Sequence, residues 1–160
     1  TLLASSAASD VYKRQIYYST SGRNANPNYE RVGFDELLEK SDIISIHAPL
    51  NEKTNNLINK AAFDKMKNSA VLINVGRGPI VNEADLVDAL NENKIAAAGL
   101  DVISAEPMKR DNPLYGYNDS RRLIITPHIA WATNEARQRL VDEAYLNLEA
   151  FIHGKERNRV

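Results

Sequence analysis

The sequence predicts an α/β domain built on a doubly wound parallel sheet, and three observations carry that prediction. From Ile16 onward, short apolar runs alternate with segments of helical spacing. Most of the runs are continuous rather than alternating in polarity, which is the pattern of strands covered on both faces. Helix-start signals fall between them, where parallel strands need their crossovers.

Taken in order, the first strand candidate is Ile16-Tyr17-Tyr18. Phe34-Asp35-Glu36-Leu37-Leu38 reads as a helix ahead of a second strand, Ile43-Ile44-Ser45-Ile46. Asn59 is placed to cap a helix that carries Ala62, Phe63 and Met66 on one side, and the third strand runs from Val71 to Val75. Asn82 and Asp85 form a capping-box-like pair before Leu86, Val87 and Leu90, so another helix starts just past the turn Gly76-Arg77-Gly78. Ala96 to Val102 and Leu123-Ile124-Ile125 supply the fourth and fifth strands. The last helix is the longest: it begins near Asn134, places Leu140, Val141, Ala144, Leu148, Phe151 and Ile152 at helical spacing, and stops near Gly154.

Composition narrows the function. With 160 residues, 43% hydrophobic and 26% charged, the chain has the make-up of a globular domain with a real core. A formal charge of −1, with its cations scattered, offers no field to attract nucleic acid. The absence of cysteine excludes disulfides, thiolate metal sites and cysteine nucleophiles; with three histidines remaining, no metal site is expected. It also fits a reducing cytoplasm. No apolar run approaches the roughly 20 residues that span a bilayer, so a soluble cytoplasmic protein with no membrane partner is expected. The first fifteen residues, TLLASSAASDVYKRQ, differ in kind: rich in Ala and Ser, they lack the basic start and apolar stretch of a signal peptide.

Ligands of open parallel sheets bind past the carboxyl ends of the strands, and those ends carry ionisable groups. His47-Ala48-Pro49 follows the second strand, Gly76-Arg77-Gly78 the third, Asp101 and then Glu106-Pro107 the fourth, and Thr126-Pro127-His128 the fifth. Singly, Arg77 reads as a solvated loop arginine, Glu106 as a turn acid, His47 as structural and His153 as a surface residue. Together, arginine, acid and histidine at adjacent strand ends suggest chemistry. A histidine beside a carboxylate is favoured as imidazolium and can exchange a proton with a carbonyl or hydroxyl. An arginine's planar fork matches a carboxylate bidentately. Such a trio describes a site for a small anionic 2-oxo or 2-hydroxy acid.

INVGRGPIVNEADLVDAL, AAAGLDVISAEP and ITPHIA resemble the C-terminal half of the cofactor domain of the D-isomer-specific 2-hydroxyacid dehydrogenases, with 29 residues from Arg77 to Glu106 and 22 from Glu106 to His128. The resemblance covers nearly everything from Ile16 onward. It implies a Rossmann-type sheet and hydride transfer between a nicotinamide dinucleotide and a 2-oxo acid. Arg77 would bind the substrate carboxylate, His128 would act as general acid and base, and Glu106 would pair with His128 and raise its pKa. Asp101 would contact the nicotinamide carboxamide, and Val75 and Gly76 would pass beside its ribose. His47, Pro49 and Ser19 would complete the cofactor-facing set, which also borders Arg77 and His128. The run from His128 to Thr133, with Glu135-Ala136-Arg137 following, looks like the glycerate dehydrogenase or hydroxypyruvate reductase branch and would put Trp131 near the substrate. The alternative for Trp131 is an aromatic packed on the core at a helix start.

Three departures from the family pattern bear on this. Family members that use NAD carry an acid where this chain has Ser19, with Arg23 four residues on, so NAD and NADP both stay open. The central strand and the G-x-G-x-x-G turn that grips the pyrophosphate are missing; the sheet is therefore expected to be incomplete and the chain a fragment. Residues 1–15 are expected to be foreign to the gene, residues 16–133 a partial dinucleotide-binding domain, and residues 134–160 a helix that in full-length members packs back on the substrate domain. Full-length members are expected to be homodimers. The competing readings are a non-catalytic, dinucleotide-sensing module like the corepressors that share this fold, and an inactive truncated product.

Overall fold

Isoleucine, valine and leucine dominate the four runs that form the main sheet, as half-buried pleated surfaces favour. In the computed structural model, which describes residues 14–23 and 25–158, these runs become β3 (Ile43–Ile46), β4 (Val71–Asn74), β5 (Ala97–Leu100) and β6 (Leu123–Ile125). All neighbours pair in parallel, in the order β3-β4-β5-β6. Ahead of them, β1 (Ile16–Tyr17) pairs in parallel with β2 (Glu30–Arg31) as a separate sheet. The charged pair that makes β2 has no apolar signature, so no pattern in the sequence announces it. Tyr18 lies just outside β1 and sets its ring against Phe34, centroids 5.2 Å apart. The expectation for residues 1–15 falls almost wholly outside the described residues.

Because spatial order follows chain order in the main sheet, successive right-handed crossovers fall on one side of it. There α1 (Phe34–Lys40), α2 (Lys60–Phe63) and α3 (Glu83–Asn91) lie. Leu38, Phe63, Met66, Leu86 and Leu90 join Ile44, Ile46, Leu72, Ala98 and Leu100 in a single core. The opposite face leaves Ile43 54% and Ile124 60% exposed. Strands whose continuous apolar character reads as two-sided cover are thus, among the described residues of this unit, buried on one side. Among the described residues, β3 and β1 are not hydrogen-bonded to each other, and each has a strand partner on one edge.

The helix starts obey their caps. Asn59 Oδ1 accepts from the Ala62 amide at 3.3 Å, and Asn82 Oδ1 from the Asp85 amide at 3.0 Å. Asp85 does not mirror that bond as a reciprocal box would: its carboxylate accepts from the Lys60 amide at 2.8 Å. A residue in the first turn of α3 therefore accepts from the first amide of α2, tying the two crossovers together. At the amino ends of the strands, the Arg122 guanidinium donates to the carbonyls of Ala96 (2.9 Å) and Ile95 (2.7 Å) and to Asn93 Oδ1 (3.0 Å).

A second compact unit begins at His128. It is built on α4 (Asn134–Ile152), whose first turn is capped by Thr133 Oγ1 accepting from the Ala136 amide at 3.2 Å. The helix ends where Gly154 takes φ +66, which glycine adopts without a Cβ penalty. Its apolar residues at helical spacing, Leu140, Val141, Tyr145, Leu148 and Phe151 among them, are exposed. Among the described residues no helix is long and apolar enough to cross a membrane.

The one-sided core has a measurable consequence. Phe63→Ala, at a position 1% exposed, should cost about 3–5 kcal/mol in urea unfolding. Ile124→Ala on the open face should cost under about 1 kcal/mol, since little of its surface leaves water on folding.

Candidate active site at the carboxyl ends of the strands

Backbone pairing continues one residue past each strand. The Val75 amide donates to the Ile46 carbonyl at 3.3 Å, Asp101 to Asn74 at 2.9 Å, and Thr126 to Leu100 at 2.9 Å. These bonds stitch the ends of β3, β4, β5 and β6 into a single row. The segments that carry His47, Arg77, Asp101 and Glu106 all leave from that row.

The Gly76-Arg77-Gly78 turn is shaped by a residue that the sequence reading passed over. Asn74, fully buried, accepts from the Gly76 amide through Oδ1 at 3.0 Å and donates through Nδ2 to the Arg77 carbonyl at 3.1 Å. The available signal was a lone amide side chain closing an apolar strand. Arg77 stands exposed in extended backbone, φ −142 and ψ 141, with Nη1 on the Gly76 carbonyl at 2.8 Å. The flanking glycines are explained by neighbouring backbone: a Cβ on Gly76 would lie 3.0 Å from the Ala48 carbonyl oxygen, and one on Gly78 only 2.0 Å from the carbonyl atoms of Ile103.

That second approach brings the loop after β5 against the arginine turn. Asp101 is 6% exposed and accepts from Thr126 Oγ1 at 2.5 Å, so its carboxylate fastens the end of β5 to the end of β6. Glu106 is exposed, follows a short loop, and accepts from the Ile103 amide through Oε1 at 3.2 Å; its bond to Pro107 is cis.

On the β3 side, a cleft of about 1420 Å³ opens between the β1 segment and the unpaired edge of β3. Ser19, Thr20, His47 and Pro49 all line it. His47 is half-buried and hydrogen-bonds Ser45 Oγ through Nε2 at 2.7 Å. Burial pushes its imidazole below the ordinary value of about 6.5. The Pro49 carbonyl accepts from the buried Thr54 hydroxyl at 2.7 Å, which fixes the loop leaving β3.

His128 and Trp131 belong to the second unit. His128 takes φ +55, a left-handed conformation uncommon for a residue with a Cβ. Its carbonyl accepts from the Trp131 indole at 2.8 Å. Trp131 is 54% exposed.

The profile of the D-isomer specific 2-hydroxyacid dehydrogenase NAD binding domain matches residues 4–130. Over 135 residues the chain is 51% identical to a hydroxypyruvate reductase of Blautia hydrogenotrophica, covering 84% of this chain and 41% of that protein. Among solved structures it is similar to an acyclic imino acid reductase, Bsp5, in complex with NADPH and D-Arg, with TM-score 0.81, 35% identity, and cover of 92% of this chain and 46% of that one. It is likewise similar to D-lactate dehydrogenase with NAD+ from Lactobacillus jensenii, with TM-score 0.76, 31% identity, and cover of 92% and 48%. The chain thus spans about two fifths of the length of the reductase that it matches.

Two outcomes are expected here. Gly78→Ala forces two backbones apart and should destabilise the fold by about 3 kcal/mol or more in urea unfolding, against under about 1 kcal/mol for an alanine at the open position Gly116. Because His47 binds a proton less readily folded than unfolded, its contribution to stability is complete above about pH 6.5 and lost as pH falls through the lowered folded value. The urea midpoint should therefore decline between about pH 7 and pH 5, and His47→Asn should make that slope shallower.

Proposed function

This chain belongs to the D-isomer-specific 2-hydroxyacid dehydrogenases, and we propose that it forms the cofactor-domain part of an oxidoreductase that reduces hydroxypyruvate or glyoxylate, or oxidises D-glycerate. The observation that carries this reading is the stitched row of strand ends, from which the segments bearing Arg77, Asp101 and Glu106 depart together. The hydroxypyruvate reductase relative supports the substrate class.

The rim of the β1–β3 cleft, at the carboxyl ends of the strands, suits a dinucleotide. Ser19 and Thr20 offer hydroxyls for a ribose, while His47 and Pro49 form the other flank; the Val75-Gly76 backbone is assigned to the nicotinamide ribose. Asp101 is assigned to the nicotinamide carboxamide. When bound, the reduced dinucleotide supplies the hydride that the carbonyl carbon accepts.

The chain's own residues do the rest. Arg77 pairs its fork with the substrate carboxylate, which orients the adjacent carbonyl and draws charge toward its oxygen. His128 gives that oxygen a proton during reduction and takes the hydroxyl proton during oxidation. Glu106 stabilises the imidazolium through its negative charge. Trp131 bounds the substrate on the histidine's side. The full-length protein acts in the cytoplasm as a homodimer, a reading supported by the cysteine-free composition and the family.

A chimaera tests this directly: the chain replaces the matching segment of the Blautia hydrogenotrophica reductase, and hydroxypyruvate and glyoxylate reduction are assayed with NADH and NADPH. Activity is expected with at least one acid. Dinucleotide binding without turnover would instead support a sensor. In the active chimaera, His128→Gln should lower kcat by about 10²–10⁴-fold, and Arg77→Lys should cost about tenfold or more in kcat/KM through loss of the bidentate pair. Ser19→Asp should move the preference toward NADH, because an acid there accepts from ribose hydroxyls and repels a 2′-phosphate.

A further inference from the structure

Glu83 is the first residue of α3 and only 7% exposed, yet the mechanism above gives it no task. An acid at the start of a helix ordinarily reaches into solvent and gains from the helix dipole. Here the carboxylate turns inward, where burying it is costly unless its oxygens are satisfied. It accepts from the Ser104 amide at 2.5 Å, from Ser104 Oγ at 2.6 Å and from Asn112 Nδ2 at 2.8 Å. All three donors come from the chain between β5 and β6, and two come from a single residue of the loop that leads to Glu106.

Two other contacts converge on that loop. Gly78, next to Arg77, leaves no room for a Cβ against Ile103, and a Cβ there would stand 2.5 Å from the Ser104 amide nitrogen. The Ile103 amide donates to Glu106 Oε1. The loop is therefore pressed on the arginine turn at Ile103, fastened to α3 at Ser104, and bonded to the Glu106 carboxylate. The press alone is repulsive and sets a minimum distance. The Glu83 bonds supply the attraction that keeps the two segments at it.

We propose that Glu83 is a positioning residue whose buried carboxylate holds the 103–106 loop against the Arg77 turn and so sets where the Glu106 carboxylate stands. The proposal rests on the functional reading above for the task of Glu106.

The test uses the chimaera with Glu83→Met, which keeps length and removes both acceptor oxygens, alongside Glu83→Gln and Ser104→Ala. In Glu83→Met, the amides of Ile103 and Ser104 should exchange with solvent about tenfold faster or more, while those of Asn74 and Asp101 keep their rates. Its kcat per dinucleotide-binding site should fall about tenfold or more with the KM for NADH or NADPH held within about twofold. The pH at which reduction drops to half its maximum should move down, because a displaced Glu106 no longer supports the imidazolium. Glu83→Gln, which retains one acceptor, should recover most of the rate, and Ser104→Ala should fall between. Unchanged exchange at Ile103 and Ser104 overturns the proposal, as does lost thermal stability with unchanged kcat per site and pH midpoint. Should Glu83→Met fail to fold, the other two variants read the same quantities, and wild-type values in both overturn it equally. If the unsubstituted chimaera reduces neither acid, the functional reading fails, and amide exchange at Ile103 and Ser104 alone decides whether Glu83 holds the loop.

Discussion

The contact on which the rest depends is the meeting of two backbones, Gly78 against Ile103 and Ser104. Everything on the β4 side of the candidate site hangs from the turn that contains Gly78, and everything on the β5 side from the loop that contains Ser104. A glycine is the one residue that lets them meet, because any side chain would have to occupy space already filled by a carbonyl group. Asn74 shapes the turn from within and Glu83 draws the loop in from α3. Both are buried polar side chains in which each polar atom has a hydrogen-bond partner, the condition under which polar groups rigidify a structure rather than weaken it.

The second constraint is what the main sheet does not pair with. Parallel strands in chain order place the crossovers α2 and α3 on one face, and α1 packs with them into a core on that side. The other face and the outer edge of β3 stay open, and the cleft beside β1 follows from that edge.

Much of this arrangement was legible in the residues. The five apolar runs, the caps at Asn59 and Asn82 and the stop at Gly154 stand where spacing and side-chain chemistry put them, because each depends on contacts within a few residues. Less legible was β2, whose Glu30 and Arg31 join a strand through backbone alone. The same holds for Asp85, which reads as half of a local box but accepts from the first amide of a neighbouring helix. Trp131 resisted assignment too, since exposure is a property of what surrounds a side chain.

By itself, then, the sequence determined the class of fold and the succession of its strands and helices, and it set arginine, acid and histidine just past the strand ends. The tertiary structure decided the reasons for Gly76 and Gly78, the duty of Asn74 and the inward turn of Glu83. Those depend on which segments meet across 20 residues or more of chain, as Glu83 and Ser104 do over 21. Hydrophobic period and capping are local, and a one-dimensional pattern can hold them. The distance between two backbones belongs to packing, and only the folded chain contains it.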